Sequence, residues 1–381
     1  MQMAISNINF KLGISMNPSQ GLVTALNKMR EMSVKEGSVY HQYIPVVTSD
    51  TSITEFGEPI LDANLTVVRN EFVGLLKRIV FTSVNTKLFK NPLSELEGER
   101  IPLGFAGQDV HVNPAKGRMF NINDFAGLLQ KYDAQIATQY LTVNMDIQYP
   151  VTITRAKLKD AFTSWSNLEE FIMGMVNSLY NGAYIDMFKY TKALVTSAYT
   201  SNKVQVEKVD APDSESDDKA FIKKVRELYT KFQLPSTNYN AWAKVNAGVE
   251  GAFPIVTWSE PSDIMVMIRA DIEAEIDVEV LARAFHMSET DFLGRVIVVD
   301  DFNVYDDEGN KIGDGDNILG MIFDKSFFKI KTQDFEMDEF YNANNRTWQY
   351  YLTVTKMYNY SAFANAVVLA TELPPTSGGS N

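Results

Sequence analysis

The sequence predicts an α+β fold in which helices dominate the first part of the chain and short strands the last part. Residues 65–81 and 166–198 carry apolar side chains at spacings of three and four, which is typical of amphipathic helices. Beyond residue 254, apolar runs such as 264–268 and 296–299 are separated by polar turns, which is typical of strands.

The composition is 45% hydrophobic and 12% aromatic with no cysteine in 381 residues. It is that of a globular protein and excludes a disulfide scaffold.

The charge balance limits the partners of the chain. There are 35 Lys and Arg residues against 48 Asp and Glu residues, so the formal net charge is −13. Nucleic-acid readers need a basic footprint that releases counterions from phosphate, and this composition argues against such a role. No apolar run approaches the roughly 18–20 residues of a spanning helix, and residues 1–4 have no signal-peptide character. We therefore expect a soluble cytosolic protein.

The first 65 residues are mixed in character. A helical stretch around residues 22–29 gives way to polar segments near Ser49 and Ser52. We expect an arm or strap here rather than a compact core.

Proline and glycine residues recur along residues 91–127. Proline removes a donor from a β-ladder, and glycine admits positive φ. A long loop or hairpin that projects is therefore predicted, and residues 140–153 alternate like a strand that returns from it. The stretches that contain these prolines and glycines are Asn91-Pro92-Leu93, Ile101-Pro102-Leu103-Gly104, Asn113-Pro114 and Lys116-Gly117.

Two further helices have recognisable ends. Ser166 followed by Glu169 fits a capping box, and the apolar pattern continues to about Ala198, a helix of roughly 45 Å. A second amphipathic helix is expected to be capped by Asp217 or Asp218 and to stop before the proline at 235. Its predicted buried face comprises Phe221, Ile222, Val225, Leu228 and Phe232.

The last third of the chain is expected to be rich in strands. A helix over 278–285, capped by Asp277, separates the strands at 264–268 and 296–299. Residues 306–310 form a hairpin turn, and two strands follow at 348–355 and 363–369. The final prolines and glycines form a frayed tail.

Some residues could carry chemistry, but each has a structural explanation. The alternating acids could flank a glycosidic bond, although they also fit the solvated face of a strand-to-helix junction. They are Asp271, Glu273, Glu275, Asp277 and Glu279. The C-terminal aromatic residues could stack on sugars or bases, yet such residues usually pack within sheets. They are Trp348, Tyr350, Tyr351, Tyr358, Tyr360 and Phe363.

Metal sites are poorly matched. Asp306, Glu308 and Asn310 fall at the first ligand positions of a calcium loop, but its glycine position is Lys311 and its last ligand position is Asn317. The histidines, His41, His111 and His286, are too far apart in sequence to suggest zinc.

Several stretches between residues 90 and 370 carry a family resemblance. In chain order they are Asn91-Pro92-Leu93 with Ile101-Pro102-Leu103-Gly104, Leu158-Lys159-Asp160-Ala161-Phe162 with Ser164-Trp165, Asn177-Ser178-Leu179-Tyr180-Asn181, the run from Asp271 to Phe285, Thr290-Asp291-Phe292-Leu293-Gly294, and Phe363-Ala364-Asn365-Ala366-Val367. In this order they resemble the major capsid protein family of phi-29-like podoviruses, short-tailed phages of Gram-positive bacteria.

The resemblance implies the Hong Kong 97-type (HK-97-like) capsid fold. Some relatives append an immunoglobulin-like domain, which is expected to be absent because the chain ends soon after its last matching stretch. The implied divisions are an N-terminal arm or strap (1–65), the start of the peripheral domain with an extended loop at about 90–127 (66–155), the spine-helix region of the peripheral domain (156–200), an axial domain (201–345), and returning peripheral-domain strands with the tail (346–381).

The resemblance also implies a function. The chain would be a major capsid protein, not an enzyme, that self-assembles in the bacterial cytoplasm into the icosahedral head of a virion. Its implied partners are copies of itself in hexamers and pentamers, a scaffolding protein, a portal or connector, and packaged double-stranded DNA bound without sequence specificity. No membrane, cofactor, metal ion or catalytic residue is implied. The self-assembly candidates are Asn91, Pro92, Leu93, Ile101, Pro102, Leu103 and Gly104.

Two other functions remain open at this point. An encapsulin-type cellular compartment would have the same fold but would enclose cargo protein instead of DNA. A hydrolase using the acids at 271–279 would lose turnover in Glu273→Gln or Glu275→Gln.

Overall fold

The computed structural model has the expected mixture of helices and strands. It describes residues 18–62, 64–83, 89–104, 107–119, 131–212, 214–246, 249, 252–276, 295–306 and 308–374. The chain divides into two compact units, each assembled from separate segments. The first comprises Met1–Lys90, Ile147–Ile185 and Phe335–Thr353, and the second comprises Asn91–Asp146, Asp186–Asp334 and Val354–Asn381.

The first unit begins with four helices. They are α1 (Gln20–Lys35), α2 (Tyr40–Tyr43), α3 (Ile53–Leu61) and α4 (Thr66–Ser83). Helix α4 confirms the helix predicted from the spacing over 65–81. Residues 18–62 differ from the strap that the sequence suggested, because apolar side chains three and four residues apart in α1 and α3 are buried. Those side chains are Leu22, Ala25, Leu26, Met29, Phe56 and Ile60.

Aromatic side chains fill the core of this unit. The Phe72 and Phe162 rings lie 5.4 Å apart between centroids, and Phe56 and Trp165 lie 5.5 Å apart. The Trp165 indole also donates a 3.1 Å hydrogen bond to the backbone oxygen of Thr51. Buried aromatic residues contribute large apolar areas, and a partner for the indole N–H avoids the cost of burying it unpaired.

The predicted long helix is present as α6 (Trp165–Thr200), which follows the short helix α5 (Arg155–Ala161). Its 36 residues correspond to about 54 Å at 1.5 Å per residue. The predicted cap, Ser166, is wrong. The backbone N–H of Asn167 donates to the Ser164 hydroxyl at 3.1 Å, so the helix is capped two residues earlier.

A five-stranded sheet forms the core of the second unit. Its strand order is β4-β12-β9-β5-β6, with β4–β12 and β5–β6 parallel and the β12–β9 and β5–β9 pairs antiparallel. The strands are β4 (Gln205–Lys208), β5 (Ile264–Arg269), β6 (Val296–Val299), β9 (Ile318–Asp324) and β12 (Ala366–Ala370). The sequence predicted strands at β5, β6 and β12.

Helix α7 (Glu215–Phe232) packs against this sheet. All five of its predicted buried residues, from Phe221 to Phe232, are buried against strand residues. Its predicted cap is wrong, because the Ser214 hydroxyl accepts from the backbone N–H of Asp217. A short helix, α8 (Trp242–Val245), follows it.

Three of the five alternating acids lie on a helix instead of a strand. Helix α9 (Ala270–Glu275) carries Asp271, Glu273 and Glu275, and buries Ile272. Residues 277–294, with the predicted helix at 278–285, the cap Asp277, Glu279 and His286, lie outside the described residues.

The remaining strands form a three-stranded sheet and two ribbons. The sheet has the order β10-β11-β3, and the ribbons pair β1 with β2 and β7 with β8. Trp348, Tyr350 and Tyr358 of β11 are buried, as expected for sheet packing. The strands are β1 (Gly107–Val112), β2 (Ile136–Leu141), β3 (Met145–Thr154), β7 (Val304–Tyr305), β8 (Lys311–Gly313), β10 (Phe328–Asn342) and β11 (Thr347–Tyr360).

Candidate self-assembly surfaces

The segment that precedes β1 is attached to the edge of β10. The backbone N–H of Gly98 donates to the oxygen of Ile330 at 2.8 Å, and that of Ile101 donates to the oxygen of Thr332 at 2.9 Å. Backbone pairing of this kind extends a sheet by one short strand and covers an otherwise open edge. Residues 97–101 are therefore held by the subunit and do not project from it.

The seven self-assembly candidates fall into two groups. Leu93 and Ile101 are buried within the unit, so they anchor the segment and do not present a surface to another molecule. Leu103 is 80% exposed. The other four are exposed or half-buried, and Gly104 has a φ of +75° that favours glycine; these four are Asn91, Pro92, Pro102 and Gly104. Their role in assembly stays a prediction.

A buried ion pair fastens the same segment. The Lys356 side chain is 2% exposed, and its Nζ lies 2.8 Å from Oε2 of Glu97. The other Glu97 oxygen accepts from the Thr332 hydroxyl. Burial lowers the pKa of Lys356, which the charge of Glu97 partly offsets. The buried ammonium of Lys356 thus holds Glu97 against β10 and β11, although burying a charge is unfavourable in itself.

A hairpin follows, but it spans residues 107–141 and not the predicted 91–127. Strands β1 and β2 pair antiparallel from Gly107 opposite Leu141 to Val112 opposite Ile136. The returning strand thus lies at 136–141, beyond the expected loop limit of about 127. The sequence predicted the returning strand at 140–153, where the structure has the end of β2 and a separate strand, β3.

One face of the β1–β2 ribbon is attached to the unit. The Ser361 hydroxyl donates to the Asp109 carboxylate at 2.5 Å, and Gln139 Nε2 donates to the oxygen of Tyr360 at 2.9 Å. The His111 and Phe363 rings lie 5.8 Å apart. Side chains alternate across a strand. The residues that alternate with Asp109, His111 and Gln139 therefore lie on the opposite face of the ribbon.

The other face of the ribbon, which we call the outer face, is exposed and largely apolar. Val112 is 55% exposed and lies opposite Ile136, which is also 55% exposed. Val110 is 52% exposed and Tyr140 is 71% exposed. The outer face is therefore a candidate surface for contact with another protein.

The described residues on either side of positions 120–130 in the hairpin are basic. We use the name hairpin tip for residues 113–119 and 131–135, which carry Lys116, Arg118 and Lys131 against Asp133. The guanidinium of Arg118 donates to the Tyr132 hydroxyl at 2.5 Å. Met119 is 94% exposed. The tip therefore combines positive charge with exposed apolar surface in an otherwise acidic chain.

The candidate catalytic and metal residues are engaged in local structure. The Asp271 carboxylate accepts two hydrogen bonds from Arg269, at 2.5 and 2.7 Å, and this arginine lowers the pKa of Asp271. The Asp306 carboxylate accepts from the backbone N–H groups of Glu308 and Asn310. This is an Asx-type turn, located at the end of the predicted β7–β8 hairpin.

Two kinds of site are absent from the described parts of the chain. Among these residues, no group of three or more His, Cys, Asp or Glu side chains is placed to hold a metal ion. Within the same ranges, no helix is long and apolar enough to cross a bilayer.

The chain is an α+β protein of two compact units, and its β1–β2 ribbon has an exposed apolar face. Comparison with known families identifies the class of protein to which it belongs. The model of the Phi29-like phage major capsid protein family matches residues 26–370, and the chain belongs to this family. It is a phage major capsid protein, as the resemblance predicted.

Individual relatives support the assignment. The major capsid protein of Bacillus phage PZA is 29% identical over 371 residues, which covers 96% of this chain and 76% of that protein. The major capsid protein of Bacillus phage B103 is 29% identical over 376 residues, with 97% and 76% covered.

Solved structures confirm the predicted Hong Kong 97-type capsid fold. A chain in the capsid structure of Staphylococcus phage Andhra matches with a TM-score of 0.60 and 16% identity, covering 76% of this chain and 87% of that one. A chain in the structure of the head fiber and inner core protein gp22 of bacteriophage P68 matches with a TM-score of 0.55 and 15% identity, covering 76% and 88%.

Proposed function

We propose that this chain assembles with copies of itself, as hexamers and pentamers, into the icosahedral head that encloses a double-stranded DNA phage genome. The observation that carries the proposal is the exposed apolar outer face of the β1–β2 ribbon. The chain is accordingly a virion component, assembled in the cytoplasm of a bacterial host.

Exposed apolar surface is unfavourable in water, so its burial between copies favours assembly. Burying such surface contributes about 25 cal/mol per Å², and specific contacts between proteins bury about 1,200–2,000 Å² in total. A ribbon fixed by one face presents its other face at a constant angle, so every copy offers the same contact. Identical contacts repeated around symmetry axes close a shell.

Other partners follow from the same role. A closed shell needs an entry point for the genome, which a portal supplies, and a scaffolding protein guides its curvature. The net charge of −13 suits a container whose wall repels the packed DNA instead of binding it.

The two alternative functions have less support. The relatives named above are phage capsid proteins, which favours a genome container over a cellular compartment. For the hydrolase, Glu273 and Glu275 lie on a six-residue helix, and Asp271 is held by Arg269. We propose that the chain acts as a structural protein without turnover.

The test replaces apolar side chains on the outer face. The triple variant Val110→Ser, Val112→Ser, Tyr140→Ser should keep the thermal midpoint of the wild type within a few degrees, because these side chains are exposed. Co-expressed with its scaffolding protein, it should form at least tenfold fewer shells by sedimentation and electron microscopy.

Ile312→Ser is the matched control, since Ile312 is 67% exposed on a different ribbon. It should assemble like the wild type. If the triple variant formed normal shells, the outer face would not be the contact. If the wild type formed no shell with its scaffolding protein, the proposed function itself would fail.

A further inference from the structure

Helix α3 forms one side of a groove of about 460 Å³ on the first unit, and Phe162 lines it from the segment after α5. The helix contributes two neighbouring rows to the lining, because residues four positions apart lie on the same face of a helix. The apolar row is Ile53, Gly57 and Leu61, and the polar row is Thr54, Glu58 and Asp62. At 1.5 Å per residue each row is about 12 Å long, so the groove is a short channel with one apolar and one polar side.

Gly57 allows helix α3 to approach the Phe162 ring closely. A Cβ atom at this position would lie 2.8 Å from Cδ1 of Phe162. The Phe162 side chain is itself buried beside Phe56 and Phe72, so it cannot move aside without disturbing that core. The apolar floor of the groove is therefore fixed by the core beneath it.

The surroundings of the groove are acidic. Residues 50–62 contain Asp50, Glu55, Glu58 and Asp62 but no lysine or arginine. The guanidinium of the nearby Arg69 donates to backbone oxygens of residues 60–62 at 2.6–3.0 Å, so its hydrogen bonds do not engage these carboxylates. The groove thus favours an apolar cover that carries positive and no negative charge.

The start of the chain has that chemistry. Every second residue from position 8 to position 16 is apolar, and these residues are Ile8, Phe10, Leu12, Ile14 and Met16. A period of two is typical of an extended segment with one apolar face. Lys11 is the only charged side chain among residues 1–17, which lie outside the described residues. The segment therefore needs an apolar surface and is not repelled by an acidic one.

The described chain begins near the elements that build the groove. The Ser19 hydroxyl donates to Oε1 of Glu169 in α6 at 3.0 Å. One turn earlier in α6, the Trp165 ring lies 5.5 Å from the Phe56 ring of α3. Residues 11–17 would span about 23 Å when extended, at 3.3 Å per residue. They are therefore long enough to bring the alternating segment to α3 of the same chain.

We propose that residues 8–16 lie extended along the α3 groove of their own chain. Phe10, Leu12 and Ile14 then contact the apolar row. Alternate residues of an extended segment are about 6.6 Å apart, so these three side chains span about 13 Å and match the length of that row. Because the segment and the groove belong to one chain, the contact is intramolecular, which favours it over the same groove in a second copy. The inference does not depend on the proposed function.

The absence of cysteine from the chain allows a direct test in the full-length subunit. Thr54 lines the groove, so a chain carrying Leu12→Cys and Thr54→Cys should close a disulfide within itself when it is oxidised. Leu12→Cys with Thr24→Cys is the matched control, since Thr24 is exposed on α1 and closer to position 12 along the chain. We expect the disulfide to Thr54→Cys to form at least tenfold faster, as measured on a non-reducing gel.

An unseated segment would reach position 24 at least as readily as position 54, so equal rates in the two chains would overturn the inference. Tagged Leu12→Cys chains mixed with untagged Thr54→Cys chains at low micromolar concentration test for a second copy. We expect little mixed dimer. A mixed dimer that formed faster than the disulfide within one chain would show that the segment occupies the groove of another copy, and seating within the same chain would be wrong.

Thiol reactivity gives a second readout that does not depend on a disulfide. The single thiol of Thr54→Cys should react with a water-soluble disulfide reagent at least fivefold faster when Phe10→Ser and Leu12→Ser are added, because the segment no longer covers the groove. The thiol of Thr24→Cys should react at the same rate with and without these two changes. An unchanged rate at position 54 would contradict the inference.

Discussion

Lys356 is a buried charged residue outside the apolar cores. Its ammonium is almost fully buried and has one anionic partner, Glu97. Removing one member of a buried ion pair leaves the other uncompensated, which costs about 3–5 kcal/mol. The pair also connects the segment before the hairpin to β11, so its loss would loosen the base of the hairpin.

We predict that Glu97→Gln lowers the free energy of unfolding by about 3 kcal/mol at pH 7. The deficit should shrink as the pH rises. Lys356 titrates at its ordinary 10.5 when unfolded, but burial lowers its folded pKa. At a pH between the folded and the unfolded pKa of Lys356, the unfolded state binds more protons than the folded state. The free energy of unfolding therefore rises with pH in this range. Losing Glu97 lowers the folded pKa further and extends that window to lower pH.

Urea unfolding at pH 7.0 and 9.5 measures both effects. Asp334→Asn is the matched control, because it breaks the pair with the exposed Arg100, and exposed pairs contribute about 0–1 kcal/mol. A deficit equal to that of the control, or one that grew between pH 7.0 and 9.5, would contradict the prediction.

At the scale of elements, periodicity predicted the helices and strands better than their ends. Helices α4, α6 and α7 and strands β5 and β6 were predicted because one apolar face or a continuous apolar run identifies them without long-range information. The caps were missed because several polar side chains compete at each start. Ser164 and Ser214 cap α6 and α7, while the predicted Ser166, Asp217 and Asp218 lie inside the helices.

Other elements depended on contacts that sequence spacing does not encode. Residues 97–101 pair with β10, more than 200 positions away. The burial of Leu93 and Ile101, which makes them anchors, likewise depends on packing that sequence spacing does not encode. The alternation of acids over 271–275 suggested a strand face, yet a short helix with one buried isoleucine, Ile272, satisfies the same pattern. The close approach of the Phe162 ring to Gly57 of α3 was not predicted, since these residues are far apart in the chain.

The cap of α6 gives a test at the element scale. We predict that Ser164→Ala destabilises the protein by about 1 kcal/mol, since the N–H of Asn167 loses its acceptor. Ser166→Ala should change the stability by a few tenths of a kcal/mol at most, because alanine is favoured inside a helix. Urea denaturation distinguishes the two variants. An equal loss of stability in both variants would mean that Ser164 and Ser166 both cap the helix.

At the scale of the whole molecule, the fold and the family were predicted from several short stretches. These stretches resemble the family in the same chain order, although many individual residues differ. The matching stretches run from residue 91 to 367, and the family model matches residues 26–370. The two units could not be read from the sequence in the same way. Each draws on three separate chain segments, so no change of composition marks their limits.

The net charge leads to the last prediction. A chain at −13 should show no measurable binding to duplex DNA at 0.15 M salt up to about 10 µM subunit, a range in which non-specific DNA-binding proteins already bind. Fluorescence anisotropy with two unrelated 30-bp duplexes measures this. The hairpin tip is a basic surface among the described residues, so Lys116→Glu is the matched variant and should behave like the wild type. Binding to both duplexes that Lys116→Glu abolished would show that the tip contacts the genome, and the idea of a repelling wall would fail there.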